Sequence, residues 1–208
     1  PPGVEFVPMV WGRDHVTPSA LAQAKKAGRY LLGFNEPDEP TQANMTVEQA
    51  LDRWPALMST GLVLGSPAVA TQAATPGGWL DRFMSGAASR GYRVDFIAVH
   101  WYGADFVPAR AVEQLKSYLT AVHDRYHLPI WLTEYALVDF PGGYRYPDQE
   151  VQAEFLTASA RMLANLDFVQ RYAWFALPIW DDAPTTGLYQ EGPVPTPVGR
   201  AFEEAGRD

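Results

Sequence analysis

Cysteine is absent from this chain of 208 residues. Disulfides, zinc–thiolate centres and thiol nucleophiles are excluded with it. Histidine is scarce, with four residues, and Lys and Arg (16) are outnumbered by Asp and Glu (24), for a net charge of −8. That balance argues against nucleic acid as a partner, because phosphate binding needs clustered positive charge. No basic amphipathic stretch marks a membrane-surface helix. No apolar run approaches the ~20 residues of a transmembrane span. Internal repeats and low-complexity segments are lacking. No Gly-x-Gly-x-x-Gly turn follows an early strand, so the dinucleotide fingerprint is missing too. Nothing in the sequence calls for a cofactor.

Aromatic residues, by contrast, are plentiful. Seven Trp, ten Tyr and ten Phe make up 13% of the chain. Such residues fill a large core, since each buries much area. They also line sugar clefts, where flat rings stack on the apolar faces of pyranoses. Composition alone leaves both explanations open. At 47% hydrophobic residues, one sizeable core is affordable, and the chain is read as one domain over residues 1–208.

Short apolar runs alternate with amphipathic stretches. The runs are Val4–Trp11, Tyr30–Pro37, Leu62–Val69, Phe96–Tyr102, Ile130–Tyr135 and Arg171–Leu177. Their nearly continuous apolar content predicts strands buried on both faces, as in a parallel sheet. Helix signals fill the gaps. Thr17–Pro18 reads as a cap and first helical residue, with Gly28 as the stop. Thr46–Val47–Glu48–Gln49 is a capping box for a helix to about Ser59. Further helices are predicted within Trp79–Arg90, from Pro108, over Asp148–Asn165, and from Thr196–Pro197 to about Ala205. Repeated βα units mean a parallel sheet, either doubly wound or closed into a barrel. Polar and aromatic residues at the C-terminal strand ends favour the (β/α)8 barrel, whose active sites lie on that rim. Six strands are visible where a full barrel has eight.

Two of those strand ends carry glutamate. Glu36 closes Phe34–Asn35–Glu36–Pro37, and Glu134 closes Leu132–Thr133–Glu134–Tyr135. A carboxylate atop an apolar strand is costly unless it is solvated, paired or used. Glycoside hydrolysis uses two: one protonates the leaving oxygen, and the other attacks the anomeric carbon or activates water. The plainer alternative is a loop cap at Glu36 and a rim ion pair at Glu134. His123 and His127 have the i, i+4 spacing of metal ligands, but Asp124–Arg125–Tyr126 between them lacks the glutamate of a His-Glu-x-x-His site. They are read as surface residues, and no metal is expected.

Taken in order, Leu32–Gly33–Phe34–Asn35–Glu36–Pro37–Asp38, His100–Trp101–Tyr102–Gly103 and Trp131–Leu132–Thr133–Glu134–Tyr135 resemble glycoside hydrolase family 128. Glu5–Phe6–Val7–Pro8–Met9–Val10–Trp11 and Thr196–Pro197–Val198–Gly199 fit the same pattern. The family consists of clan A barrels that act on β-1,3-glucans. The resemblance therefore implies a retaining endo-β-1,3-glucanase, secreted and monomeric, with Glu36 as acid/base and Glu134 as nucleophile. It makes the visible strands the third to eighth of the barrel, with two more expected ahead of Val4. It implies that Asn35 addresses the sugar 2-hydroxyl. Tyr102 would hydrogen-bond Glu134, and His100 would bind a sugar hydroxyl or orient its neighbours. Trp174 would be a platform under the reacting sugar.

Trp11 and Trp101 are candidate walls for neighbouring sugars. Trp180, Asp181 and Asp182 are candidates for the cleft edge. Trp131 has opposite parity to Glu134 and is read as core facing the helices. Asp38 and Glu39 are read as caps of the loop after Pro37. Two alternatives remain open: a clan A hydrolase of β-1,4-glucan or mannan, and a barrel that binds glycan without cleaving it.

Overall fold

The computed structural model describes residues 4–141, 143–178, 185–190 and 192–206. Among the described residues the fold is α/β, with six α-helices, a short 3-10 turn and parallel strand pairing. It divides into two compact units. One comprises the residues up to His100 with Val122–Trp131, and the other Trp101–Ala121 with the residues from Leu132 onward. Among the described residues, no helix is long and apolar enough to cross a membrane.

The first unit holds helices α1 (Pro18–Ala27), α2 (Val47–Met58) and α3 (Trp79–Ser89) and strands β1 (Tyr30–Leu31) and β2 (Val63–Leu64). It also contains the start of strand β3 (Ile97–Gly103). The caps read from the sequence are formed. The Thr17 hydroxyl accepts from Ala20 N, and Thr46 and Gln49 make a reciprocal capping box. Helix α2 buries Ala50, Leu51, Trp54 and Leu57, a stripe at helical spacing. The Trp54 ring meets Phe34 and Phe83 edge-on, and its indole N–H donates to Arg93 O.

A parallel ladder orders the strand segments. Tyr30 pairs with Val63 and Leu31 with Leu64, while single bridges join Met9 to Leu32, Asn35 to Ala68 and Gly65 to Phe96. Regular pairing is thus shorter than the apolar runs suggest. Residues 4–11 form no extended strand and meet the ladder through the Met9–Leu32 bridge and backbone hydrogen bonds at Pro8, Val10 and Trp11. The run 30–37 is a two-residue strand followed by isolated bridges. Trp131 is core, stacked on Phe96 at 4.1 Å and packed with Ala68 and Ala98. Its core position is the one the parity argument expected, and the contacts seen are with strand and strand-end residues.

The second unit holds the end of β3, strand β4 from Leu132 (the whole strand is Ile130–Leu137), most of α4 (Pro108–Tyr126), α5 (Gln149–Leu163), β5 (Val169–Trp174) and α6 (Pro197–Ala205). The sheet order is β3–β4–β5. Closure into an eight-stranded barrel is not seen among these strands. The core is aromatic: Tyr135 meets Trp174 and Phe155 edge-on, and Trp101 stacks on Phe155 at 5.7 Å. Gln152 in α5 is fully buried and satisfies both Leu137 N and Leu137 O, tying the end of β4 to the helix.

Candidate active site

The segment Gly33–Pro37 is drawn tight against the strand beside it. A Cβ on Gly33 would lie 2.9 Å from Ser66 O, so only glycine permits this approach. The approach lets Asn35 N donate to Trp11 O at 2.9 Å and Glu36 N to Ala68 O at 2.7 Å. Glu36 itself has φ +42°. That region is unfavourable for a side-chain-bearing residue, and doubly so before proline. The flanking hydrogen bonds hold it there, which is how strained backbone persists at working sites.

The strained turn aims the Glu36 side chain at His100. Nδ1 of His100 lies 2.8 Å from Glu36 Oε1. The histidine is 2% exposed and the glutamate side chain 13%. His100 is thus placed to orient Glu36, one of the two roles the sequence left to it. Asn35, also buried, donates its amide Nδ2 to Gln42 Oε1 at 3.2 Å. Gln42 is a partner that the sequence did not reveal, since it sits in the loop beyond Pro37 with no motif of its own. Asp38 accepts from Ala70 N at 2.9 Å, and so reaches the segment after β2 instead of capping its own loop through this bond. Burial pushes the Asp38 carboxyl above the usual range, against its backbone hydrogen bonds, and the Glu36 charge adds a smaller push. Trp11 is 37% exposed, with its ring edge-on to His15.

In the second unit the Tyr102 hydroxyl donates to Glu134 Oε2 at 2.5 Å. This is the bond that the family resemblance implied. The Tyr102 ring is held edge-on by Phe140 at 5.0 Å and by Phe175 at 5.4 Å. Phe175 was missed in the sequence, where Trp174 took its place. Trp174 is 8% exposed, packs on Tyr135 and Phe155, and donates its indole N–H to Thr186 O. It faces the core, so it is no platform for a sugar. Adjacent strand residues point to opposite faces, and the register puts Phe175 on the Tyr102 side. Trp101 is half-buried and lies between Phe155 of α5 and Gly103, where an added Cβ would meet the indole at 2.4 Å. Trp180, Asp181 and Asp182 lie outside the described residues. His123 and His127 sit edge-on to each other at 6.2 Å in the first unit, at the end of α4.

Comparison with known proteins agrees with this chemistry. A family model described as the glycosyl hydrolase catalytic core matches residues 1–202. A subgroup I endo-β-1,3-glucanase of glycoside hydrolase family 128 from Amycolatopsis mediterranei, solved with laminaritriose, is 60% identical. The match covers 99% of this chain and 84% of that one, with a TM-score of 0.94. Variants of that enzyme with one glutamate replaced by alanine or glutamine were solved with laminaribiose and laminaritriose, laminaripentaose or laminarihexaose. A subgroup II endo-β-1,3-glucanase from Sorangium cellulosum is 30% identical, covering 98% of this chain and 81% of that one, with a TM-score of 0.80. The alkali-sensitive linkage protein 1 of Schizosaccharomyces pombe is 32% identical over 165 residues. That is 76% of this chain but 29% of the yeast protein, so the chain spans under a third of that relative's length.

Proposed function

The chain belongs to glycoside hydrolase family 128, and we propose that it cleaves β-1,3-glucan internally, as a retaining endo-glucanase using Glu36 and Glu134. One observation carries the choice of these two residues: each strand-end glutamate is hydrogen-bonded by a buried or half-buried side chain, Glu36 by His100 and Glu134 by Tyr102. The named activity of the Amycolatopsis and Sorangium relatives supports the substrate class. We read the parallel ladder as the third to eighth strands of a (β/α)8 barrel.

In this reading Glu134, held at Oε2 by Tyr102, attacks the anomeric carbon, and Glu36, held at Oε1 by His100, delivers a proton to the leaving glycosidic oxygen. Bond formation to Glu134 and departure of the protonated sugar give a glycosyl ester. Glu36, now a carboxylate, takes a proton from water as that water attacks the same carbon. The sugar is released with its β configuration, Glu134 is freed, and Glu36 is protonated again. Asn35, locked by Gln42, is assigned to the sugar 2-hydroxyl, and Trp11 to a neighbouring sugar. A glucan polymer is too large to enter a cell intact, which supports secretion. We expect the enzyme to act as a monomer.

The test is to offer the protein β-1,3-glucan, β-1,4-glucan and mannan and to follow polymer length by size-exclusion chromatography. A rapid fall in length with β-1,3-glucan alone is the expected result. Cleavage confined to the other polymers, release of single sugars from chain ends, or binding without cleavage would overturn the assignment.

A further inference from the structure

The loop between β4 and α5 carries two exposed aromatic rings. Phe140 is 42% exposed and Tyr144 is 70% exposed. Their rings meet edge-on at 5.4 Å. Phe140 in turn meets Tyr102, whose hydroxyl holds Glu134. An unbroken row of aromatic side chains therefore leads from the proposed nucleophile out to solvent, through Tyr102, Phe140 and Tyr144.

The loop is built to present these rings. Asp139 and Arg145 exchange both backbone hydrogen bonds, at 3.0 and 2.9 Å, and close a short antiparallel bridge. Arg145 also pairs with the buried Asp139 carboxylate. Gly143 N donates to Phe140 O, and Gly143 adopts φ +110°, a conformation that suits glycine. Neither ring is needed to fill a core. Adjoining exposed aromatics on a fixed frame mark a binding surface, and rigid rings lose little entropy when a ligand arrives.

We propose that Phe140 and Tyr144 form a stacking subsite for a glucosyl unit of the polymer beyond the residue being cleaved. The occupant is a pyranose ring of the same β-glucan, whose apolar face suits an aromatic surface and whose hydroxyls suit the Tyr144 tip. The inference rests on the glucanase assignment above. The site's continuity with Tyr102 favours a sugar over any other apolar ligand, because a chain bound at Glu134 must leave along some surface.

Tyr144→Ala and Tyr144→Leu test it, with kinetics on laminari-oligosaccharides from three to six units. Both changes leave in place the Phe140 ring that meets Tyr102. Tyr189→Ala, at another exposed tyrosine, serves as control. The expected result is a rise in KM of about three- to tenfold on the hexamer, a smaller rise on the trimer, and kcat held within twofold. Equal KM values for variants and parent at every length overturn the subsite while leaving the glucanase assignment intact. A fall in kcat at every length with no change in KM also overturns it, because that signature belongs to positioning of Tyr102. A parent protein that neither cleaves nor binds any of these oligosaccharides removes both the assignment and the subsite.

Discussion

The Tyr102 hydroxyl sits 2.5 Å from Oε2 of Glu134, on a ring clasped edge-on by Phe140 and Phe175. The clasp fixes the donor, and the donor fixes the carboxylate. A hydrogen bond to a charged group is worth ~1.5–3 kcal/mol. Tyr102→Phe keeps the ring and its neighbours but removes the donor. Its kcat on β-1,3-glucan should fall about 10- to 100-fold, with an unchanged circular dichroism spectrum and melting temperature within a few degrees. Full activity in a folded Tyr102→Phe protein would show that the bond does no catalytic work.

His100 acts through Glu36 and is a positioning residue. His100→Ala should lower kcat by about 10- to 100-fold, since Glu36 loses the partner that holds Oε1. His100→Gln restores a side-chain donor and should recover part of the loss. A purely structural role predicts instead that activity follows the folded fraction in both variants, which thermal melts recorded beside the kinetics would reveal.

The capping box at Thr46 is remote from this chemistry in kind. Thr46→Ala leaves Gln49 N without its side-chain acceptor, while the backbone N–H of residue 46 still donates to Gln49 Oε1. A cost of ~1 kcal/mol is expected. It should appear as a lower urea midpoint with unchanged kcat per folded molecule.

Alkaline pH should weaken the fold through Tyr126. Its hydroxyl donates to Ala73 O at 2.7 Å. Burial, aided by the Asp81 carboxylate, pushes its pKa from 10.0 up to about 12. The folded value exceeds the unfolded one, so the protonated phenol favours folding. That contribution is complete below about pH 10 and is lost as pH rises toward 12. Tyr135 is pushed the same way by burial and loses its contribution from the same lower limit. Tyr126→Phe should therefore be less stable at neutral pH, for want of the Ala73 bond, yet should show a shallower loss of stability between pH 10 and 12 than the parent. Denaturant melts at several pH values check this.

What the sequence disclosed follows from how local each signal is. Thr17, Thr46 and Thr196 announce their helices because a cap and the N–H it serves lie within three residues. Glu36 and Glu134 stand out because a charge at the end of an apolar strand has few inexpensive explanations. Register is not local. Tyr172–Ala173–Trp174–Phe175 offers aromatics on both faces of β5, and only the neighbouring strand decides that Phe175 meets Tyr102 while Trp174 enters the core. The same reason hid which residues Trp101 and Trp131 pack against. Gln42 and the Phe140–Tyr144 pair lie in loops, where no period marks a side chain as chosen. The segment 4–11 reads as a strand by composition, and it meets the ladder through the bridge at Met9 and the hydrogen bond from Asn35 N to Trp11 O without forming a regular strand.

The central claim is that Glu36 and Glu134 carry out a double displacement. Proton NMR of the anomer first released from a β-1,3-glucan oligomer tests it most directly, with Glu36→Gln and Glu134→Gln measured in parallel. The account predicts initial release of the β-anomer by the parent and at least a thousandfold loss, roughly the scale of a removed catalytic group, in each variant. Initial release of the α-anomer, or turnover that survives either substitution, would contradict it.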